Sequence, residues 1–246
     1  MKLYDLTETE YTSIMQKDVS LAKIAENQIQ KKLLDIFIHL QQEAVLLTPR
    51  YQYAYFLLDD LEKIEEKEIN DTPYTLQDIG DFCFTLASSL EKKILASDQH
   101  AGFFMSLLVN NHHNKTKTDE EYILPFPTLK LNRLCYKLAG ANVRIVGDSG
   151  NMTGEAMESG KIIITGNSEN FTCAHMNKGS VQILGNCKDF TGMSLSGGKL
   201  QIQGNCGIET GKYMKGGTIK VNGTIETISE SKEGGNIYLR NKKIST

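Results

Sequence analysis

Residues 185–223 read GNCKDFTGMSLSGGKLQIQGNCGIETGKYMKGGTIKVNG, and this stretch contains two successive copies of one pattern. Each copy opens on a glycine that recurs every 19 residues through the C-terminal half, at Gly147, Gly166, Gly185, Gly204 and Gly223. A unit of this length cannot bury its own apolar face, so successive units must stack on one another. The pattern therefore predicts a solenoid.

Apolar residues two positions apart in each repeat indicate short strands with one buried face. These pairs begin at Val143, Ile162, Val181, Leu200, Ile219 and Ile237. A second wall supplies inward side chains from Met157, Met176, Leu195 and Met214. Two or three glycines per repeat exclude helical coils. We therefore predict a right-handed parallel β-helix whose coils stack about 4.8 Å apart.

A polar residue follows the strand glycine in four successive coils, at Asp148, Asn167, Asn186 and Asn205. In a stack of coils these side chains lie above one another. One interpretation is a ladder of turn side chains that are hydrogen-bonded between coils. The other is a polar binding groove along the helix axis, with Asp148 as its charged end. Nothing in the sequence selects the groove.

The repeat resembles the GXGXG repeat of the glutamate synthase C-terminal domain and of the C subunit of formylmethanofuran dehydrogenase. The resemblance covers about residues 139–240 and is carried by Gly147-Asp148-Ser149-Gly150, Gly154-Glu155-Ala156-Met157 and Gly160-Lys161-Ile162. It implies a β-helix that acts as a scaffold, because the chemistry of those enzymes belongs to other domains. Cys173 departs from the pattern, since it replaces the glycine of the second coil.

Five cysteines occur without C-x-x-C spacing, at Cys83, Cys135, Cys173, Cys187 and Cys206. Cys187 and Cys206 are equivalent residues of adjacent coils, so a disulfide could join them, but the repeat favours stacked buried thiols. The histidines show no zinc-site spacing, and His112 and His113 fall in a polar loop predicted over residues 110–121. We expect no catalytic residue, no cofactor and no metal site.

The N-terminal half has few glycines and long runs of helix-forming residues, which predict an α-helical domain over residues 1–121. Its helices are expected over residues 7–40, as one long helix or two with a break near Asp18, and over residues 51–68, 75–97 and 101–110. Thr7 and Thr75 are predicted caps, and the helices would form a small antiparallel bundle. Residues 122–138 are predicted to be a linker and first edge strand, followed by the β-helix over residues 139–246. The predicted fold class is therefore α+β with two domains.

The two halves carry opposite charge. Residues 1–130 contain 13 Lys and Arg and 21 Asp and Glu, a net charge of −8, whereas residues 131–246 contain 14 and 9, a net charge of +5. Opposite signs favour docking of the helical domain on the solenoid. Outward strand positions of the early coils carry an apolar patch, formed by Val146, Ile163 and Leu184. A patch of this kind needs a cover.

That cover is either the helical domain of the same chain, or a partner protein or second copy. Arg50, Tyr51 and Tyr53 form another candidate surface, because aromatic residues beside an arginine suit a groove for a protein partner. The lysines of the solenoid are scattered without interleaved aromatic residues, which argues against nucleic acid. No run of 18 apolar residues and no secretory signal are present, so we expect a soluble, cytoplasmic protein.

These features favour a non-catalytic scaffold or protein-interaction protein, in which a rigid β-helix platform is combined with a helical recognition domain. The alternative, implied by the resemblance, is a structural subunit of a larger redox or amidotransferase enzyme complex. A third interpretation is a stand-alone enzyme that uses the polar ladder from Asp148 to Asn205.

Overall fold

A computed structural model describes residues 27–47, 68–91, 100–126 and 129–244. In these ranges three helices precede the strands: α1 (Gln28–Leu47), α2 (Leu76–Glu91) and α3 (Ala101–Thr116). Residues 68–70 are also helical. The predicted cap at Thr7 and the predicted surface at Arg50, Tyr51 and Tyr53 lie outside the described residues. None of the described helices is both long and apolar enough to cross a membrane.

Within the described part of the chain, eight strands form one sheet in which chain order and spatial order are the same. They are β1 (Glu121–Pro125), β2 (Asn142–Val146), β3 (Lys161–Ile164), β4 (Ser180–Ile183), β5 (Lys199–Ile202), β6 (Thr218–Val221), β7 (Asn236–Leu239) and β8 (Lys242–Ile244). Strands β1 to β7 are parallel, and equivalent residues such as Ile162, Val181 and Leu200 face one another. The predicted parallel β-solenoid with 19-residue coils is confirmed.

The interior of the solenoid is filled by the registers expected from the repeat. The inward residues of β2 to β6 and Ile237 of β7 are buried, and so are Met157, Met176, Leu195 and Met214, which have no exposed area. A third wall carries small buried groups, where the Ser149 hydroxyl donates to the Ser168 hydroxyl at 2.8 Å. Threonines 153, 172, 191 and 210 are buried as well. Stacking of like residues therefore builds the core.

Each turn segment contains left-handed backbone positions that recur with the repeat. One of them is occupied by Gly154, Gly192 and Gly211, all with positive φ. Cys173 takes the same place in the second coil at φ 57°, although left-handed backbone strains a residue with a side chain. The geometry of the stacked coil thus imposes this conformation even where glycine is missing.

Helix α3 covers the first coil of the solenoid and bonds to its backbone. In the second coil, the carbonyl of Glu155 accepts from the N–H of Lys137 in the coil before it. The equivalent carbonyl, that of Tyr136, has no preceding coil and accepts instead from Asn110 Nδ2 at 3.2 Å. The N–H of Tyr136 donates to the Ser106 hydroxyl at 3.1 Å, whereas the equivalent N–H of Glu155 donates to the Met152 carbonyl of its own coil. Asn110 therefore replaces a bond from the missing coil, and Ser106 ties the first turn to α3.

These bonds correct the prediction of a polar loop over residues 110–121. Helix α3 continues to Thr116, so His112 and His113 are helical, and the helix ends at Lys117 in the left-handed conformation. Contacts of Asn110 with the first coil and of Asn111 with Asn70 outweigh the weak helix propensity of these asparagines. Only residues 117–120 separate α3 from β1.

The helices share a continuous core with the first coils. The ring of Phe104 in α3 lies 5.2 Å from that of Phe37 in α1 and 5.7 Å from that of Phe82 in α2. Helix α2 also approaches β1, where a Cβ added at Gly80 would lie 3.4 Å from the carbonyl oxygen of Ile123. The predicted cap of α2 is present, because Thr75 Oγ1 accepts from the N–H of Asp78.

Candidate functional site

The predicted ladder residues are joined by hydrogen bonds from coil to coil. Oδ1 of Asp148 accepts from the backbone N–H of Asn167 at 2.7 Å and from its Nδ2 at 3.1 Å. Asn167 accepts in the same way from Asn186, whose Oδ1 accepts from the N–H of Asn205. The ladder ends at Thr224, whose N–H and hydroxyl both donate to Asn205. These side-chain oxygens therefore hold adjacent coils together.

A second ladder, absent from the sequence-based prediction, runs beside the first. Asn132 Oδ1 accepts from the N–H of Asn151, Asn151 accepts from Asn170, and Asn170 accepts from the N–H of Asp189. Asp189 continues the series by accepting from the N–H of Ile208. The signal was present in the sequence, because these residues also recur every 19 positions. Two parallel ladders fix the coil corner on both sides.

Charged residues beside the first ladder are paired. Lys130 Nζ lies 3.2 Å from Asp148 Oδ2 and 2.9 Å from Glu169 Oε1, and Lys188 also contacts Glu169. Burial raises the pKa of Asp148, but hydrogen bonds from Asn167 and Lys130 outweigh it and hold that pKa below its usual value. Lys188 and Lys130 lower the pKa of Glu169 against the same effect of burial. Both carboxylates are therefore ionised near neutral pH and take part in the ion pairs and hydrogen bonds between coils.

All five cysteines are buried and free, which confirms the prediction of stacked thiols over a disulfide. The hydrogen bond with Cys206, together with burial, raises the pKa of the Cys187 thiol. Burial also raises the pKa of Cys173 to about 12. Nucleophilic attack and metal binding both require the thiolate, so the raised pKa values disfavour both reactions at Cys173 and Cys187. In the described residues no group of three or more His, Cys, Asp or Glu is placed to hold a metal ion.

The predicted apolar patch is divided between covered and exposed side chains. Ile163 is only 7% exposed and Val146 is half-buried, whereas Leu184 is 44% exposed. Exposure also rises along the row of paired residues that begins at Ile163. The next residue of this row, Gln182, is half-buried, whereas Gln201 and Lys220 are exposed. The later coils therefore offer the accessible part of this strand face.

An aromatic cluster on the turn side of the solenoid was missed by the sequence-based prediction. The rings of Phe171 and Phe190 are stacked, with centroids 4.9 Å apart and planes 7° from parallel. Lys212 Nζ lies 5.3 Å from the Phe190 ring centroid and 5.6 Å from that of Tyr213, which is 43% exposed. We call Phe171, Phe190, Lys212 and Tyr213 the aromatic cluster. Its signal was the repeat spacing of Phe171 and Phe190, but only the backbone shows that these side chains point outward.

The junction between α3 and β1 holds a separate group of polar residues. His112 Nδ1 lies 2.8 Å from the Tyr122 hydroxyl, and the Tyr74 hydroxyl donates to the Leu108 carbonyl at 3.1 Å. Burial raises the pKa of Tyr122 to about 12 and lowers the pKa of His112. A cleft of about 470 Å³ lies alongside, lined in part by Lys115. The hydrogen bonds of this group join the helices to the first coil.

No family model, no curated protein and no solved structure matches this chain.

Proposed function

We propose that this protein is a non-catalytic interaction scaffold of the cytoplasm. In this proposal a right-handed β-helix, whose first coil begins at β1, presents fixed side chains to another protein. The helices that precede β1 contribute to recognition.

The aromatic cluster carries the proposal. Phe171, Phe190 and Tyr213 place large apolar surface outside the core, and Lys212 lies against two of the rings. Aromatic side chains are enriched at protein interfaces, because they bury much area while losing few rotamers. The exposed ring of Tyr213 is the natural anchor for a partner.

The two ladders support the same function by fixing where these side chains stand. Asn170 bonds to Asp189, and Asn186 bonds to Asn205, in the coils that bear the aromatic cluster. A surface that is rigid before binding loses little conformational entropy when a partner arrives. The platform is therefore pre-organised for recognition.

A second candidate function is a structural subunit of a larger redox or amidotransferase complex. The observation that favours it is the resemblance of the repeat to the GXGXG domain, together with the glycines at left-handed positions, Gly154, Gly192 and Gly211. In such a complex the chemistry would belong to other subunits, and the solenoid would still act through protein contacts.

Capture of partners with the full-length chain tests the proposal. Tagged wild-type protein and two variants are incubated with extract of the native cell, and recovered proteins are quantified by mass spectrometry. Tyr213→Ser installs the residue of the preceding coil at the same left-handed position, Ser194. Leu184→Gln is the matched comparison on the strand face, since it removes an equally exposed apolar side chain and installs the residue of the next coil, Gln203. Loss of a partner from Leu184→Gln alone would place its binding on the strand face and not on the aromatic cluster.

We expect one or more proteins to bind wild type and Leu184→Gln and to be lost from Tyr213→Ser. Removal of an interface anchor of this kind weakens binding by about 30-fold or more. The proposal fails if no protein is enriched over empty resin, or if every enriched protein binds Tyr213→Ser as well as wild type. Recovery of redox or amidotransferase subunits would select the second candidate.

A further inference from the structure

The outward side chains of strands β3 to β7 form a surface with positive charge only. We call this surface the basic strand face. Its cations are Lys161, Lys199 and Lys220 within the strands and Arg240 directly after β7, and all four are exposed. The other outward positions carry uncharged side chains: Ile163, Thr165, Ser180, Gln182, Leu184, Gln201, Gln203, Thr218, Asn222, Asn236 and Tyr238.

The lysines of this face differ from those at the coil corner. Lys130 and Lys188 are neutralised by Asp148 and Glu169, as described above. Among the described residues, by contrast, no carboxylate lies within ion-pair distance of Lys199 or Lys220. Their charge is therefore available to a partner.

A groove runs over the later coils of this face. It is lined by Ser180, Lys199, Gln201, Thr218, Lys220 and Tyr238. Lysine ammonium groups are point charges on flexible stems, so they pair with carboxylates in varied geometry. The hydroxyl and amide groups between them can donate hydrogen bonds to the same carboxylates. The groove therefore combines charge with neutral donors.

We propose that the basic strand face binds an acidic segment of a partner protein. This proposal rests on the scaffold function above and names the chemistry of one of its partners. Charge complementarity selects the occupant, because a face with only cations attracts carboxylates and repels basic segments. Binding is expected on the late coils, where Gln201 and Lys220 are exposed, and not on the early coils, where Ile163 is buried.

A protein occupant fits this face better than nucleic acid. Single-stranded nucleic acid requires aromatic faces on which bases stack. This face has one aromatic residue, Tyr238. The Lys220 ammonium lies over its ring, 5.6 Å from the centroid, at a place where a base would stack. The whole chain also carries a net charge of −3, which opposes the long-range attraction of a polyanion. Carboxylates in a short segment need only the local charge.

The test measures binding of a fluorescently labelled peptide of alternating Glu and Ser to the full-length protein by fluorescence anisotropy. The test variant is Lys199→Glu/Lys220→Glu. The matched control is Lys31→Glu/Lys32→Glu, which changes net charge equally at two exposed lysines of α1. Labelled oligothymidylate and a peptide of alternating Lys and Ser serve as the other probes. Circular dichroism establishes that both variants are folded.

We expect the acidic peptide to bind wild type and the control, and to bind the test variant about tenfold more weakly or worse, because two attractions become two repulsions. Raising the salt from about 0.05 M to about 0.5 M should weaken wild-type binding to a similar extent. The proposal is overturned if the acidic peptide does not bind, if both variants lose affinity equally, or if oligothymidylate binds more tightly.

Light scattering on the wild-type protein tests the remaining occupant. If the protein self-associates with this salt dependence, and Lys199→Glu/Lys220→Glu abolishes the association, the face belongs to a second copy and the proposal is wrong. Failure of the peptide experiment leaves the Tyr213→Ser experiment intact, so the scaffold function and the acidic partner are judged separately.

Discussion

Substitutions of Arg133 and Glu155, which form an ion pair, should change the free energy of unfolding in a strongly non-additive way. Arg133 Nε lies 3.0 Å from Glu155 Oε2, and the Glu155 side chain is only 1% exposed. The other carboxylate oxygen, Oε1, is buried without a hydrogen-bond partner. Glu155 therefore depends on Arg133 for compensation of its charge.

The repeat itself supplies the substitutions. Position 133 corresponds to Met152 one coil later, and position 155 corresponds to Met193 two coils later. Breaking a buried pair from one side costs about 3–5 kcal/mol, and we expect about 3 kcal/mol for Arg133→Met because Arg133 is 18% exposed and water can enter. Glu155→Met should cost about 1 kcal/mol, since the remaining guanidinium can reach solvent. Replacing both by methionine should leave stability within about 1 kcal/mol of wild type.

Equilibrium urea unfolding at pH 7, followed by circular dichroism, gives the free energy of unfolding of all four proteins. The expected coupling between the two sites is about 3–5 kcal/mol, because single losses of about 3 and about 1 kcal/mol shrink to within about 1 kcal/mol of wild type in the double variant. The reasoning is refuted if the two single losses simply add in the double variant, or if Arg133→Met costs less than about 1 kcal/mol. Equal slopes of free energy against urea would show that all four proteins unfold from the same compact state.

Two further predictions concern the coil corners. Gly160→Ala should lower the free energy of unfolding by about 2–4 kcal/mol, because the φ angle of Gly160 is +94° and the new Cβ would lie 2.3 Å from the Ala141 carbonyl oxygen. Ser159→Ala is the control, and urea unfolding measures both variants. A similar small loss in the two variants would contradict this prediction. Asp148→Asn should cost less than about 1 kcal/mol at pH 7, since the amide keeps the ladder bond and the pair with Lys130 is half-exposed. Because the folded pKa of Asp148 is lowered, its stabilisation is present above the unfolded pKa of about 3.9 and is lost as the pH falls through the folded value. The variant should therefore lose less stability than wild type between about pH 4 and pH 2, and urea midpoints with the same acid dependence would speak against this assignment.

The solenoid was predictable because its signals repeat. Each coil combines β-branched inward residues with a glycine corner, so an ambiguous assignment in one coil is resolved by the equivalent residues of the others. Strands β2 to β7 lie where the pattern predicts them. The beginning of the solenoid was harder to recognise. Strand β1 pairs with β2 at an offset of 21 residues, from Glu121 to Asn142, and the first coil lacks the glycines that mark the later ones.

The C-terminal half of α3 could not be read from local sequence. Asn110 and Asn111 are poor helix formers, and their helical state depends on bonds to Tyr136 and Asn70, which are distant in the chain. The aromatic cluster was hidden for a different reason. Whether Phe171 points inward or outward depends on left-handed turns that ordinary strand alternation does not describe.

The two ends of the stack determine how the molecule behaves at high concentration. An open solenoid end presents unpaired strand edges, which can recruit another molecule and grow into a filament. Here Ser106 and Asn110 occupy the backbone groups of the first coil, and the reversed strand β8 places exposed Lys242 and Lys243 at the other end. Both features oppose growth at the ends of the described stack, and a longer platform with the same two ends would need whole 19-residue units inserted between them.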